Sequence, residues 1–130
     1  MSTLDPRSIF GQEGESAAEQ YLRRKGYRIV ARNLRSSMGE LDLVAEDDQV
    51  LVFVEVKARR TDVFGGAIHA VPQRKQEKLI QLAAMYLARH HIKGRLCRFD
   101  VVLLQGDGVA TTQIEHIRNA FEVPGEDLRW

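Results

Sequence analysis

Two short segments of this sequence combine residue types that do chemistry together: Asp42 in Gly39-Glu40-Leu41-Asp42-Leu43, and Glu55 with Lys57 in Val52-Phe53-Val54-Glu55-Val56-Lys57-Ala58. Both alternate with period two and read as strands, and Asp47-Asp48 between them reads as a tight turn. Centring the hairpin there opposes Val44 to Leu51, Asp42 to Phe53 and Glu40 to Glu55. One face is then Leu41, Leu43, Ala45, Val50, Val52, Val54 and Val56, wholly apolar and expected to pack on a helix. The other carries Glu40, Asp42, Val44, Leu51, Phe53, Glu55 and Lys57, and turns ionic at the end far from the turn. Asp42 and Glu55 become diagonal neighbours, about 7 Å apart at the backbone, within reach of one ion. A one-residue slip would turn the valine face outward, so the faces are strongly specified.

Carboxylates in a strand this apolar are costly unless something answers their charge. Clustered acids repel, and a cation between them removes the conflict. Carboxylate oxygens completed by water and substrate phosphate suit Mg²⁺ or Mn²⁺. A cation at Asp42 and Glu55 would lower the pKa of an attacking water and act as Lewis acid on a phosphoryl oxygen. Lys57, on the face of Glu55, would orient that water or offset charge on phosphorus, with Glu40 as a supporting acid. The competing reading is an ion-pair network that only fixes the hairpin's register.

The elements that must position these residues follow from periodicity. A helix is expected over Glu13–Lys25, from Ala17, Ala18, Tyr21 and Leu22, with Gly26 as its left-handed stop. Strands are expected at Tyr27–Leu34, Gly39–Glu46, Val50–Ala58, Arg95–Gln105 and Val109–Ile117, the last two joined by Gly106-Asp107-Gly108. Pro72 is expected at the first position of a second helix reaching about His91, with Leu79, Leu82, Ala83, Tyr86 and Leu87 as its apolar stripe. Thr61–Val71, with Gly65-Gly66, reads as a loop. The order α-β-β-β-α-β-β predicts an α/β fold with a mixed five-stranded sheet flanked by helices.

Composition sets the outer bounds. The chain has 130 residues, 44% hydrophobic and 28% charged, which excludes a disordered or fibrous chain and fits one domain over 1–130, with 122–130 as a loosely held tail. The single cysteine, Cys97, excludes an intramolecular disulfide framework and a four-cysteine zinc site. With no apolar signal-like start and no apolar run of about 18 residues, no membrane partner is expected, and the cytoplasm is the expected compartment. The net charge of +1 excludes only a polycation, because the charges are blocked. Arg23, Arg24, Lys25, Arg28, Arg32 and Arg35 precede an acidic run of Glu40, Asp42, Glu46, Asp47 and Asp48, and a second basic stretch follows from Arg74 to Arg98. Bases for phosphates around acids for a cation nearly cancel in the sum. Arg32, Arg35, Arg59, Arg60, Arg74, Lys75 and Lys78 are the candidate nucleic-acid contacts, with solvated surface as the plain alternative.

These motifs resemble the PD-(D/E)xK nuclease superfamily, with Asp42, Glu55 and Lys57 in its signature positions. The chain as a whole looks like the YraN-like family of bacterial proteins, which is similar to Holliday-junction resolvases. The residues carrying the resemblance are Gly11-x-x-Gly14-Glu15-x-x-Ala18, Gly26-Tyr27, Arg32-Asn33, Gly39 to Leu43, Val52 to Arg59, Arg98 to Val102 and Glu115-His116-Ile117-x-Asn119-Ala120-Phe121. The resemblance implies a restriction-endonuclease-like core, a cation held by Asp42, Glu55 and the Val56 carbonyl, and a further acid on the first helix, best matched by Glu15. It also implies a nucleic-acid substrate and, by analogy with resolvases, a homodimer. Where the superfamily has proline before the aspartate, this chain has Leu41. Gln81 and Tyr86 miss a related Gln-x-x-x-Tyr motif by one residue and read as helix surface and core. The expected function is a Mg²⁺- or Mn²⁺-dependent endonuclease acting on structured or branched DNA. The alternative is a nucleic-acid-binding module of the same fold with little or no catalysis. His90-His91 read as cations at a helix C-terminus, His116 as structural and Cys97 as a buried thiol.

Overall fold

A computed structural model describes residues 14–59, 71–106 and 113–122. Its elements are α1 (Gly14–Arg24), β1 (Arg28–Ser36), β2 (Gly39–Asp47), β3 (Val50–Arg59), α2 (Gln73–Arg89), β4 (Cys97–Gln105) and β5 (Gln113–Phe121). The strands form one sheet in the order β1-β2-β3-β4-β5, antiparallel except for the parallel β3–β4 pair. A parallel pair needs a long crossover, and α2 lies within it. The expected α/β class and element order are those observed.

Each sheet face buries one helix. On one side Ala18, Leu22 and Tyr27 pack on Leu43, Ala45, Val52, Val54, Val102 and Leu104. On the other, Leu79, Leu82, Ala83, Tyr86 and Leu87 of α2 pack on Val44, Leu51, Phe53, Phe99 and Val101. The valine face therefore meets α1, and the opposite face, with Val44, Leu51, Phe53 and Glu55, meets α2. A central strand covered on both sides reads as nearly continuous apolar sequence, as β3 does.

The ends of the helices follow local chemistry. Gly26, at φ 96°, closes α1, with Tyr27 N–H donating to the Leu22 carbonyl at 3.0 Å. Pro72 sits one residue before α2 rather than at its first position. Its ψ of 154° keeps it extended while its carbonyl accepts the Gln76 N–H at 2.9 Å.

Several sequence expectations shift. The hairpin turn is Asp48-Gln49, not Asp47-Asp48, because Asp48 takes φ 58°, a left-handed conformation that Asp tolerates. Val44 therefore pairs with Phe53 and Leu43 with Val54, a register two residues from that expected. An even shift leaves the faces intact. Leu41 departs from its expected face: it joins the α2-side core, while Leu43 joins the α1 side. β5 runs Gln113–Phe121 rather than ending at Ile117. Glu13, the Gly65-Gly66 loop, the Asp107-Gly108 part of the turn and the 123–130 tail lie outside the described residues.

Candidate functional site

The break in alternation at Leu41 builds the site. In β1, Asn33 adopts φ 53°. On either side of it, Ala31 pairs with Val44 and Leu34 with Leu41, and all four belong to the α2-side core although each pair is three residues apart along its strand. Both strands thus change phase at Asn33 and Asp42, so Asp42 is presented toward α1 rather than away from it. There it meets Glu15 in the first turn of α1.

Carboxylate oxygens of Glu15, Glu40 and Asp42 lie within 4.8 Å of one another. In the amide orientation its neighbours dictate, Asn33 Nδ2 donates to Glu15 Oε1 at 2.9 Å and to Glu40 Oε1 at 3.1 Å. Burial, then the charges of Asp42 and Glu40, push the Glu15 carboxyl up to about 7, and it hydrogen-bonds Asp42. Asp42 is itself pushed up by burial and by Glu40, against the Val56 N–H, which it accepts at Oδ2 over 2.9 Å.

Glu55 lies beside this trio rather than within it. It is 7% exposed, and its Oε2 has no hydrogen-bond partner among the described residues. Its other oxygen stands 3.7 Å from Lys75 Nζ of α2. Burial and then the Asp42 charge raise Glu55 to about 7, opposed by Lys75 and Lys57. A buried carboxylate oxygen without a partner is rare and costly, and hard oxygen donors of this kind suit a divalent cation.

The expected basic contacts separate into groups. Arg32 is held in a fork by Glu19, at 2.8 and 3.1 Å. Arg35 is largely exposed, 3.9 Å from Glu40. Arg74 and Lys78 are exposed on α2, and Lys75 turns to Glu55. The side chain of Arg59 and all of Arg60 lie outside the described residues. Of the acidic run, only Glu40 and Asp42 reach the site. Glu46 pairs with Arg28 and Arg95, and Asp47 with Arg98 and Arg118.

Sequence reasoning missed Asn33 as a member of the site and Lys75 as the partner of Glu55. The first had a signal: Asn is, with Asp, the non-glycine residue type that most readily takes a left-handed conformation. It also missed a buried network around Asp100, which is 1% exposed. Asp100 accepts from Arg98 Nε at 2.8 Å, from the Asn119 N–H at 3.0 Å and from His116 Nε2 at 2.7 Å. Lys25 Nζ lies 3.1 Å from His116 Nδ1, and since an ammonium only donates, that nitrogen accepts and Nε2 carries the proton. His116 is thus structural, as expected, and Cys97 is a buried free thiol.

Together, fold and site define an α/β protein whose central hairpin and first helix converge acids at one end of a mixed sheet. The chain belongs to Uncharacterised protein family UPF0102, whose profile matches residues 14–104. It is 44% identical over 119 residues to a UPF0102 protein of Desulfosudis oleivorans, covering 92% of this chain and 94% of the relative. It is 47% identical over 111 residues to one of Symbiobacterium thermophilum, covering 85% and 94%. A Pseudomonas putida UPF0102 protein is 43% identical over 113 residues, covering 86% and 92%. Among the described residues no helix is long and apolar enough to cross a membrane.

Proposed function

We propose that this protein is a Mg²⁺- or Mn²⁺-dependent endonuclease that hydrolyses phosphodiester bonds of structured or branched DNA. The observation that carries the reading is the convergence of Glu15, Glu40 and Asp42 next to a buried Glu55, one of whose oxygens has no partner among the described residues. An ion-pair network that only fixed the register gives no reason for such an oxygen. Asp42 and Glu55, with the Val56 carbonyl, would hold the cation, and Glu15 and Glu40 would support it. When bound, the cation supplies a more acidic water and a Lewis acid at the phosphoryl oxygen.

The remaining chemistry belongs to the chain. Hydrolysis forms a bond from water oxygen to phosphorus and breaks one P–O ester bond, and the departing oxygen takes up a proton. Lys57, two residues beyond Glu55 on β3, orients the water or offsets charge gathering on the phosphate. Lys75, 3.7 Å from Glu55, opposes the rise in that carboxyl's pKa and so favours the ionised form that would ligate a cation.

The test is a panel of junction, flap, single-stranded and duplex DNA incubated with Mn²⁺, using wild type and Asp42→Asn. Wild type should cut at least one branched substrate, and the variant should lose the activity by several orders of magnitude. Equal residual cutting by both would identify a contaminating nuclease and overturn the proposal. Tight binding without cutting, unchanged or strengthened by Asp42→Asn, would instead make the protein a binding module of the same fold.

A further inference from the structure

Next to the acid cluster, between the β1–β2 turn and α2, lies an open groove of about 570 Å³. Leu34, Leu41, Leu82 and Met85 give it an apolar lining, Arg35 and Arg89 stand on it, and among the described residues no acid lines it. Met85 is 42% exposed, so its thioether side chain is accessible in the groove. His90, exposed at the end of α2, contributes an aromatic ring held in place from two directions. Its ring lies 4.2 Å from that of Tyr86 at 31°, and its Nδ1 is 3.0 Å from the Tyr86 carbonyl. A carbonyl only accepts, so Nδ1 carries a proton there. An aromatic ring already fixed loses little freedom when a second ring stacks on it.

The groove borders the candidate site at Leu41 and Arg35. Leu41 lines it, and its neighbours in β2 are Glu40 and Asp42. Arg35, on the groove, also stands 3.9 Å from Glu40 Oε2. Basic side chains around an apolar lining match a polyanion that also offers apolar faces. A duplex keeps its base faces stacked inside and presents mainly phosphate and polar groove edges, against which leucine and methionine gain little unless the bases unstack. An unpaired strand offers both phosphates and free base faces.

We propose that this groove seats an unpaired nucleotide of the substrate, its base against Met85 and the His90 ring and its phosphates on Arg35 and Arg89. The proposal rests on the nuclease reading in taking nucleic acid as the substrate. It adds that the acid cluster works beside a single-stranded segment, such as a flap or the opened strand at a branch point.

The test is fluorescence anisotropy of a labelled oligothymidylate and of a blunt duplex of equal length, in EDTA at low salt. The proteins are wild type, Met85→Ser and His90→Ala. Both substitutions are at exposed positions, and thermal melting by circular dichroism checks that the fold persists. Met85→Ser leaves the charge unchanged, so it spares the salt-dependent phosphate attraction. Single-strand affinity should fall about tenfold in each variant, the range for losing a base-stacking contact, while duplex affinity stays unchanged. Unchanged single-strand affinity, or equal weakening for both nucleic acids, overturns the proposal. So does sedimentation showing that Met85→Ser splits a dimer without altering single-strand affinity, which would make the groove an interface between copies. Because no metal is present, the two readings fail separately. Wild type that binds single strand through these residues but never cuts overturns only the nuclease reading. Active enzyme whose variants bind single strand normally overturns only the groove.

Discussion

Asp42 Oδ2 accepts the backbone N–H of Val56 at 2.9 Å, just beyond the Leu43–Val54 rung of the β2–β3 ladder. A side chain thus takes over from the backbone ladder, and it holds one acid of the cluster against the strand that carries Glu55. Asn at position 42 keeps an oxygen for that N–H while removing a charge that Glu40 and burial oppose. Asp42→Asn should therefore raise the stability of the metal-free protein, by about 1 kcal/mol, as functional sites often trade stability for charge. Urea titration in EDTA measures it. Mn²⁺ should stabilise wild type and leave the variant unmoved; equal stabilisation of both would place the cation elsewhere.

The raised carboxyls give a pH dependence with a definite sign. Glu15 and Glu55 stand near 7 in the folded chain against an ordinary 4.5, so between those values the folded state binds more protons than the unfolded. Stability without metal should be greatest on the acid side of this window and fall as pH rises through about 7. Mn²⁺ must displace the same protons, so its apparent affinity should climb over the same range. Calorimetry in buffers of different ionisation enthalpy would show proton release on binding near neutrality and little at alkaline pH.

Asp100 has the opposite sign. Burial alone would raise it, but His116, Arg98 and the Asn119 N–H bring it down to about 2. Its contribution is complete above its ordinary 3.8 and is lost as pH falls through about 2. Asp100→Asn should cost about 3–5 kcal/mol at neutral pH, because Arg98 and His116 lose a buried charged partner. Denaturant melts at neutral pH measure this, and a loss under about 1 kcal/mol would show that the network is a weak contributor.

Gly14 is fixed by contact rather than by backbone conformation. A Cβ there would stand 2.7 Å from Leu104 Cδ1, and Leu104 is 1% exposed. Gly14→Ala should destabilise by about 1–3 kcal/mol through overpacking. It should also weaken Mn²⁺ binding, because displacing the start of α1 moves Glu15. Adding Leu104→Val should recover part of both losses, a coupling that a double-mutant cycle reads directly.

Asn33 separates backbone from amide. Asn33→Gly tolerates the φ of 53° but removes the donor shared by Glu15 and Glu40. Asn33→Ala loses both, so it should melt at a lower temperature than the glycine variant. In both, Mn²⁺ affinity should change, and identical affinity to wild type would remove Asn33 from the site.

The sequence by itself determined the elements, the acids of the hairpin and its two faces apart from Leu41 and Asp42. Period-two alternation is a local property of the chain, and an even register error cannot corrupt it. The α/β order was legible from such local periodicities, and the family from its motifs. Only the tertiary structure decided which acids meet. The turn choice at Asp48 set the register, the phase change at Asn33 and Asp42 turned Asp42 toward Glu15, and the packing of α2 brought Lys75 to Glu55. Each of these depends on where a distant element lands, and nothing in the spacing of the residues along the chain records it. The Asp100 network joins α1's end, β4 and β5 in the same way. Its members are scattered between Lys25 and Asn119, and only folding makes them neighbours.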